Sequence, residues 1–422
     1  MQYSIFFKNI NEIIKNTWYI RNNYLSKLEA YDKSNIIKVI TWIRRVWKSF
    51  ILKQYIEKLI ESWFNKNNIF YLHLEDYKLW ENPDLNLLSE IFDYFIENIY
   101  SWGDFYIFLD EIQNVQSWEK FVRTINEKYS EKAHIFITWS NSNLLSSELS
   151  TLLTWRFIEL QVFPFSFQEY LEFNKLDIKS NLDTNKIRYF EDYIKYWSLP
   201  EILKIEDTYT KINYIKTLIE SILYKDIVIR YRLRKTRFLS SLLKFSFSNT
   251  CTILSINSIL KYLKQEIKSL DYETVDNYIS YLENTFLLNS LEWIDIKTKS
   301  ILKSNKKYYA YDLGFRSIFS NNQDIEKTLE NLVFIELKRR WYSINLLHWR
   351  NSEIDFIAEK NNIKSYFQVS YTIKAKDTYL REIKPLLLQK DNYTKYILTL
   401  DNTESEDRWI YIKNIINWLL EE

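Results

Sequence analysis

A chain of 422 residues with only two glycines, Gly103 and Gly314, must make nearly all of its turns and helix ends from residues that carry a Cβ. Ordinary proteins hold about 7% glycine, or roughly 30 in this length. Glycine enters the left-handed backbone region without steric cost, and turns and helix C-termini call for that region. The same chain carries 15 tryptophans. Its enrichment in Lys, Asn, Ile and Tyr, with few Ala and Pro, suggests AT-rich coding, which should deplete tryptophan because its standard codon is G-rich. Both trends are accounted for if many of the tryptophans are UGA codons that the source organism reads as glycine. The positions of the tryptophans test the idea.

The length exceeds the usual size of one hydrophobic core, so two or three domains are expected. A hydrophobic content of 46% with 27% charged residues suits a globular protein, and no apolar run approaches the roughly 18 residues that span a bilayer. The segment from Met1 to Lys8 lacks a basic region, a sustained apolar stretch and a small-residue cleavage site, so a cytoplasmic location is expected. One cysteine, Cys251, excludes an intramolecular disulfide, and His73, His134 and His348 show no ligand spacing, so metal chemistry through Cys or His is not expected. A net charge of +2 gives no global drive toward nucleic acid, and any such binding must come from a local patch.

After a helical lead-in over residues 1–30, apolar runs at Ile36 to Thr41, Ile69 to Leu74, Phe105 to Leu109, Ile135 to Thr138 and Phe157 to Val162 alternate with longer helical patterns. That alternation predicts an α/β domain with a parallel, helix-covered sheet over residues 31–175. Residues 176–249 read as helical, with a basic stretch from Arg230 to Arg237. Residues 250–322 read as two helices and two short strands, the order of a winged helix. Residues 323–422 read as a small α/β domain.

The segment from Thr41 to Phe50, Thr-Trp-Ile-Arg-Arg-Val-Trp-Lys-Ser-Phe, follows an apolar strand and opens a helix. It becomes the phosphate-binding pattern G-x-x-x-x-G-K-S if Trp42 and Trp47 are glycines. Backbone N–H groups must wrap a phosphate there, in turns that a Cβ obstructs. Trp42, Arg44, Arg45, Val46, Trp47, Lys48 and Ser49 are therefore the candidate ATP-binding residues, with Lys48 on the β and γ phosphates and the Ser49 hydroxyl on Mg²⁺. The apolar run Phe105 to Leu109 ends in adjacent carboxylates, Asp110 and Glu111, suited to orienting Mg²⁺ and polarising an attacking water. Beyond the next strand, Asn141 is preferred over Ser140 as a polar sensor of the γ phosphate. Arg156 precedes another strand and reads as an arginine finger, a nucleotide-facing arginine or an ordinary surface residue.

These runs, together with Phe163-Pro-Phe-Ser-Phe-Gln-Glu-Tyr170, Tyr309-Ala-Tyr-Asp-Leu-Gly314, the segment from Glu330 to Tyr342 and Glu353-Ile-Asp-Phe356, resemble the archaeal and bacterial AAA ATPase family with a C-terminal domain of unknown function. The resemblance spans nearly the whole chain. It implies a P-loop ATPase core with ATP and Mg²⁺ as cofactors, and glycine at Trp42, Trp47, Trp139, Trp155, Trp197 and Trp341. Trp118 and Trp418 stand where the family often has a genuine tryptophan.

In the winged-helix candidate, Ser255 to Leu263 is the first helix and Thr274 to Phe286 the recognition helix, made acidic by Glu273, Asp276 and Glu283. Phosphate contact would fall to Lys261, Lys264 and Lys268, or to Arg230, Arg232, Arg234 and Arg237. The C-terminal domain has the order of a restriction-endonuclease-like fold, with Glu330 on a helix and Asp355 on a strand. Gln368 and Ser370 stand where an acid and a lysine are required, so cleavage is not expected. The expected function is ATP hydrolysis coupled to conformational change, with a DNA or protein client and an oligomeric assembly left open and no membrane partner. A nucleotide-regulated binding protein and a metal-dependent nuclease are the rivals.

Overall fold

The computed structural model describes residues 3, 7, 19–41, 46–76, 83–140, 156–176, 183–196, 199–234, 236–265, 270–295, 301–320, 324–349, 352–402 and 404–421. It divides into two compact units, Met1–Phe163 and Pro164–Glu422.

The first unit alternates α1 (Asn22–Asp32), β1 (Ile37–Thr41), α2 (Lys48–Glu61), β2 (Ile69–His73), α3 (Leu85–Asn98), β3 (Phe105–Asp110), α4 (Trp118–Lys128), β4 (Ala133–Trp139) and β5 (Phe157–Gln161). All five strands are parallel, in the order β2-β3-β4-β1-β5. A parallel sheet is covered on both faces, which is why β1 and β3 are buried along their whole length and are predominantly apolar, Lys38 in β1 being paired with Asp32. Helix α3 shows the complementary pattern. Asp84 caps it by accepting from the Leu87 N–H at 2.8 Å, and Leu88, Ile91, Phe92 and Phe95, spaced three to four apart, are buried in the core with Phe70, Phe105 and Ile107. At the amino-terminal edge of the sheet, Asp32 accepts from Tyr55 at 2.8 Å and Tyr106 at 2.7 Å, pairs with His134 at 2.7 Å and lies 3.4 Å from Lys38. One carboxylate thereby ties together α1, α2, β1, β3 and β4.

The second unit holds α5 (Phe167–Phe173), α6 (Asp183–Tyr196), α7 (Thr208–Ser221) continuing into a π-helix (Ile222–Ile229), α8 (Thr236–Ser248), β6 (Ile253–Leu254), α9 (Ile256–Leu263), α10 (Tyr272–Asn284), β7 (Leu288–Asp295), β8 (Ile301–Ala310), α11 (Leu313–Phe319), α12 (Ile325–Arg339), β9 (Ser343–Trp349), β10 (Ser352–Lys360), β11 (Ile363–Val369), α13 (Lys376–Leu387), β12 (Thr394–Thr399), β13 (Ser405–Asp407), β14 (Ile410–Asn414) and α14 (Ile415–Leu420). Its strands form one nine-stranded sheet, ordered β13-β14-β12-β11-β10-β9-β7-β8-β6.

Within the second unit, Phe167 of α5 packs on Phe190 and Tyr193 of α6. One feature departs from the sequence expectation. The pair β7 and β8 is long, at 8 and 10 residues, and its open edge is covered by β9, with Trp293, Ile294 and Asp295 in parallel register with Leu346, Leu347 and His348. The sheet therefore runs without interruption across the boundary expected at 322.

Thirteen described residues other than glycine have a positive φ, and four of them are tryptophans. Trp63 (φ 65°) and Trp341 (φ 67°) follow the ends of α2 and α12. In each case two N–H groups turn back into the last helical turn: Trp63 to Ile60 and Phe64 to Leu59, both at 3.0 Å, and Trp341 to Lys338 and Tyr342 to Leu337 at 2.9 and 3.0 Å. This is the glycine-terminated Schellman ending. Arg408 (φ 50°) and Trp409 (φ 66°) form the two-residue hairpin between β13 and β14, in which both residues must be left-handed. Trp47 (φ 65°) stands immediately before α2.

Candidate functional site

The strand order brings the carboxyl ends of β1, β4 and β3 side by side, with Thr41 opposite Trp139 and Leu109 opposite Ile137. In open parallel sheets this edge is where ligands bind. Helix α2 starts at Lys48, and the Ser49 hydroxyl in its first turn bonds Asp110 at the end of β3, so the helix N-terminus belongs to the same edge. Trp42, Arg44 and Arg45 lie outside the described residues. Val46, Trp47 and Lys48 are buried, and Trp47 stacks on Phe50 with ring centroids 4.8 Å apart.

Asp110 is fully buried at the end of β3. Its carboxylate accepts from the Thr138 hydroxyl at 2.6 Å and the Tyr71 hydroxyl at 3.2 Å, and meets His73 Nδ1 at 3.1 Å. Burial alone would raise its pKa. The imidazole of His73, then the hydroxyls of Thr138 and Ser49, outweigh burial and hold it below the usual carboxylate value. His73 is raised in turn by its bond to Asp110. An ionised carboxylate touching the Ser49 hydroxyl is the donor set that a hard divalent cation takes.

Glu111 follows in a left-handed conformation (φ 58°). Its N–H donates to Thr138 Oγ1 at 2.7 Å, so one threonine donates to Asp110 and accepts from the next residue. Its carboxylate accepts from the Ser140 hydroxyl at 2.6–2.7 Å and from Gln113 Nε2. The second acid of the pair is thus aimed along the strand edge by β4.

Asn141 lies outside the described residues, whereas Ser140, passed over in the sequence reading, touches Glu111. Arg156 is displaced from the site. It immediately precedes β5, its carbonyl accepts from the Ile37 N–H at 3.1 Å at the start of β1, and its exposed guanidinium lies 3.9 Å from Glu127. A five-residue strand, roughly 16 Å long, separates that edge from Thr41, so Arg156 cannot serve the nucleotide site of its own chain. It precedes its strand, and only strand C-termini reach this edge. Tyr71, His73 and Thr138 had no motif to mark them. Their signal is the register, which sets His73 against Asp110.

Residues 34–171 match the family model described as AAA domain, and residues 187–326 match a domain of unknown function (DUF8612). Over 406 residues the chain is 33% identical to an uncharacterized protein of Haemophilus influenzae, covering 95% of this chain and 98% of that one. The chain belongs to the AAA-type P-loop ATPases. A second relative, the uncharacterized protein MJ1544 of Methanocaldococcus jannaschii, is 32% identical over 385 residues, covering 87% of this chain and 83% of that one. In fold the AAA-type chain is similar to the Walker-type ATPase PABY2304 of Pyrococcus abyssi, with a TM-score of 0.51 and 15% identity over 71% of this chain and 95% of that one. No helix among the described residues is long and apolar enough to cross a membrane.

Proposed function

We propose that this chain binds ATP with Mg²⁺ at the carboxyl edge of its parallel sheet and hydrolyses it, using the turnover to change conformation in the appended region. The observation that carries the reading is the arrangement of Asp110 and Glu111 around Thr138 beside Lys48 and Ser49. MgATP supplies the electrophilic phosphorus and a divalent charge. Lys48 neutralises phosphate charge, Ser49 and Asp110 hold the cation, and Glu111, steadied by Ser140, polarises the attacking water. Asn141 senses the γ phosphate. Arg156 takes part only if it reaches the nucleotide of a neighbouring copy.

The reading includes glycine at positions 42 and 47 in the protein as the cell makes it. Trp47 supports this, since its left-handed backbone at a helix N-terminus is what a phosphate-wrapping loop asks of glycine. Trp63, Trp341 and Trp409 extend the pattern to three sites with no part in catalysis. Trp139 does not, because it is extended and buried beside Trp118. Peptide mass spectrometry on protein purified from its own source reads these positions directly. Tryptophan at both 42 and 47 would remove the catalytic reading.

The appended region is read as a winged helix, α9 and α10 with β7 and β8, leading into a nuclease-like α/β layer. Arg230, Arg232, Arg234 and Arg237 are all exposed and are the preferred contact to DNA phosphate. Glu111→Gln separates turnover from mere binding. ATP affinity should persist while hydrolysis falls by about 10²-fold or more; equal trace rates in both forms would leave a nucleotide-regulated binding protein.

A further inference from the structure

The second unit buries a cluster of charged groups that the ATPase chemistry does not use. The ammonium of Lys307, on β8, lies 2.7 Å from Glu330 of α12, and 2.8 and 3.8 Å from Glu353 and Asp355 of β10. Glu330 also accepts from the Tyr309 hydroxyl at 2.8 Å. The second oxygen of Asp355 accepts from the Val369 N–H at 2.9 Å. Gln368 accepts from the Asp355 N–H at 3.3 Å and donates to Glu382 at 2.8 Å. Glu330, Asp355 and Gln368 are the positions at which the sequence suggests a degenerate nuclease centre. Where their strands and helix converge sits an ammonium from a strand outside that pattern.

We infer that Lys307 is the resident cation of this cluster: it fills with its own charge the place that a divalent ion would take among Glu330, Glu353 and Asp355, and so closes the region to metal and to phosphodiester cleavage. Two largely buried carboxylates, Glu330 and Asp355, with the partly exposed Glu353 beside them, repel one another and call for a counter-charge. The ammonium meets that need from within the chain, and its donated hydrogen bonds use the carboxylate lone pairs that a metal would need at about 2.0–2.6 Å. The ion and the ammonium cannot both be seated. Lys307 is nearly sealed from solvent, so it has no aqueous position to withdraw to. Burial raises the carboxyl pKa values of both Glu330 and Asp355, and the Lys307 ammonium opposes that rise. Ser370 donates to the Thr372 carbonyl instead of supplying a second cation.

The test uses the full chain carrying Asp110→Asn, which silences the nucleotide-site metal, and measures Mn²⁺ binding by electron paramagnetic resonance. With Lys307 in place, no ion should bind that Asp355→Asn removes, and duplex DNA should stay intact in Mn²⁺. Lys307→Met, close in volume but uncharged, should gain one Mn²⁺ with a Kd on the order of 0.1–1 mM, together with a melting temperature that rises with Mn²⁺. Adding Asp355→Asn should abolish both gains. The inference is overturned if the Lys307 protein binds Mn²⁺ at a site lost in Asp355→Asn, or cleaves DNA in a manner that needs both Lys307 and Asp355, because lysine and metal would then act together. It is equally overturned if folded Lys307→Met takes up no ion. Should that variant fail to fold, the comparison of Lys307 protein with and without Asp355→Asn decides alone.

Discussion

A side chain at φ near +65° sets its Cβ against the carbonyl oxygen that follows, at a cost of about 1–2 kcal/mol that glycine does not meet. Trp63 and Trp409 carry that strain while exposing 95% and 82% of their surface, so packing returns little. Part of the gain from removing it is offset by the freedom glycine has in the unfolded chain. Trp63→Gly and Trp409→Gly should therefore each stabilise the tryptophan-bearing protein by roughly 0.5–1 kcal/mol, read as a higher urea midpoint at unchanged slope. Trp418 is the control. It is buried in α14 against Phe367, with the Arg340 guanidinium 4.4 Å above its ring, and Trp418→Ala should cost roughly 3–5 kcal/mol. Equal effects at all three sites would undo the claim that backbone conformation sorts the tryptophans. Positions 47 and 341 were legible in the sequence because motifs surround them. Positions 63 and 409 were not, because a helix end and a two-residue hairpin have no sequence signature when a tryptophan occupies the left-handed position.

At the scale of elements, the five strands of the first unit were legible to within one or two residues, since a strand buried on both faces is predominantly apolar. What the strands do to each other's side chains was not legible. Thr138 and Ser140 reach the two acids of β3 only because β4 lies beside it, and the same register at the opposite edge assembles the Asp32 cluster from α1, α2, β3 and β4. Burial opposes ionisation of Asp32, but hydrogen bonds from His134, Tyr106 and Tyr55 win and take its pKa from 3.8 to about 2. The folded value lies below the unfolded one, so the stabilisation is fully present above the unfolded pKa and disappears as pH falls through the folded one. Allowing for partial exposure, it amounts to roughly 1–2 kcal/mol. Urea unfolding should accordingly lose that amount between pH 3.8 and about 2, and Asp32→Asn should remove that part of the pH dependence. An unchanged slope in the variant would show that the carboxylate carries no differential charge.

At the scale of the whole molecule, the sequence suggested a winged helix and a nuclease-like domain as successive modules, whereas one continuous nine-stranded sheet spans both stretches of chain. Local patterns mark where a strand lies but not which edge it will cover, and the pairing of β7 with β9 joins residues some 50 positions apart. Lys307 was invisible for the same reason. It is 46 residues from Glu353 along the chain, on a strand that reads as half of a separate hairpin, and only the shared sheet brings it to the carboxylates. The joint has a consequence for folding. A fragment of residues 323–422 keeps Glu330, Glu353 and Asp355 but loses their cation, and it exposes the β9 edge that β7 covers. Leaving buried charge uncompensated costs about 3–5 kcal/mol, a large part of the stability of a small domain. Residues 164–422 retain both the strand and the lysine. The longer fragment should unfold cooperatively in urea with a native near-ultraviolet circular dichroism signal, while the shorter one should show neither and aggregate through its open strand. A cooperatively folded 323–422 fragment would mean that the continuous sheet is an adjacency between two independent domains and that Lys307 is dispensable to the second.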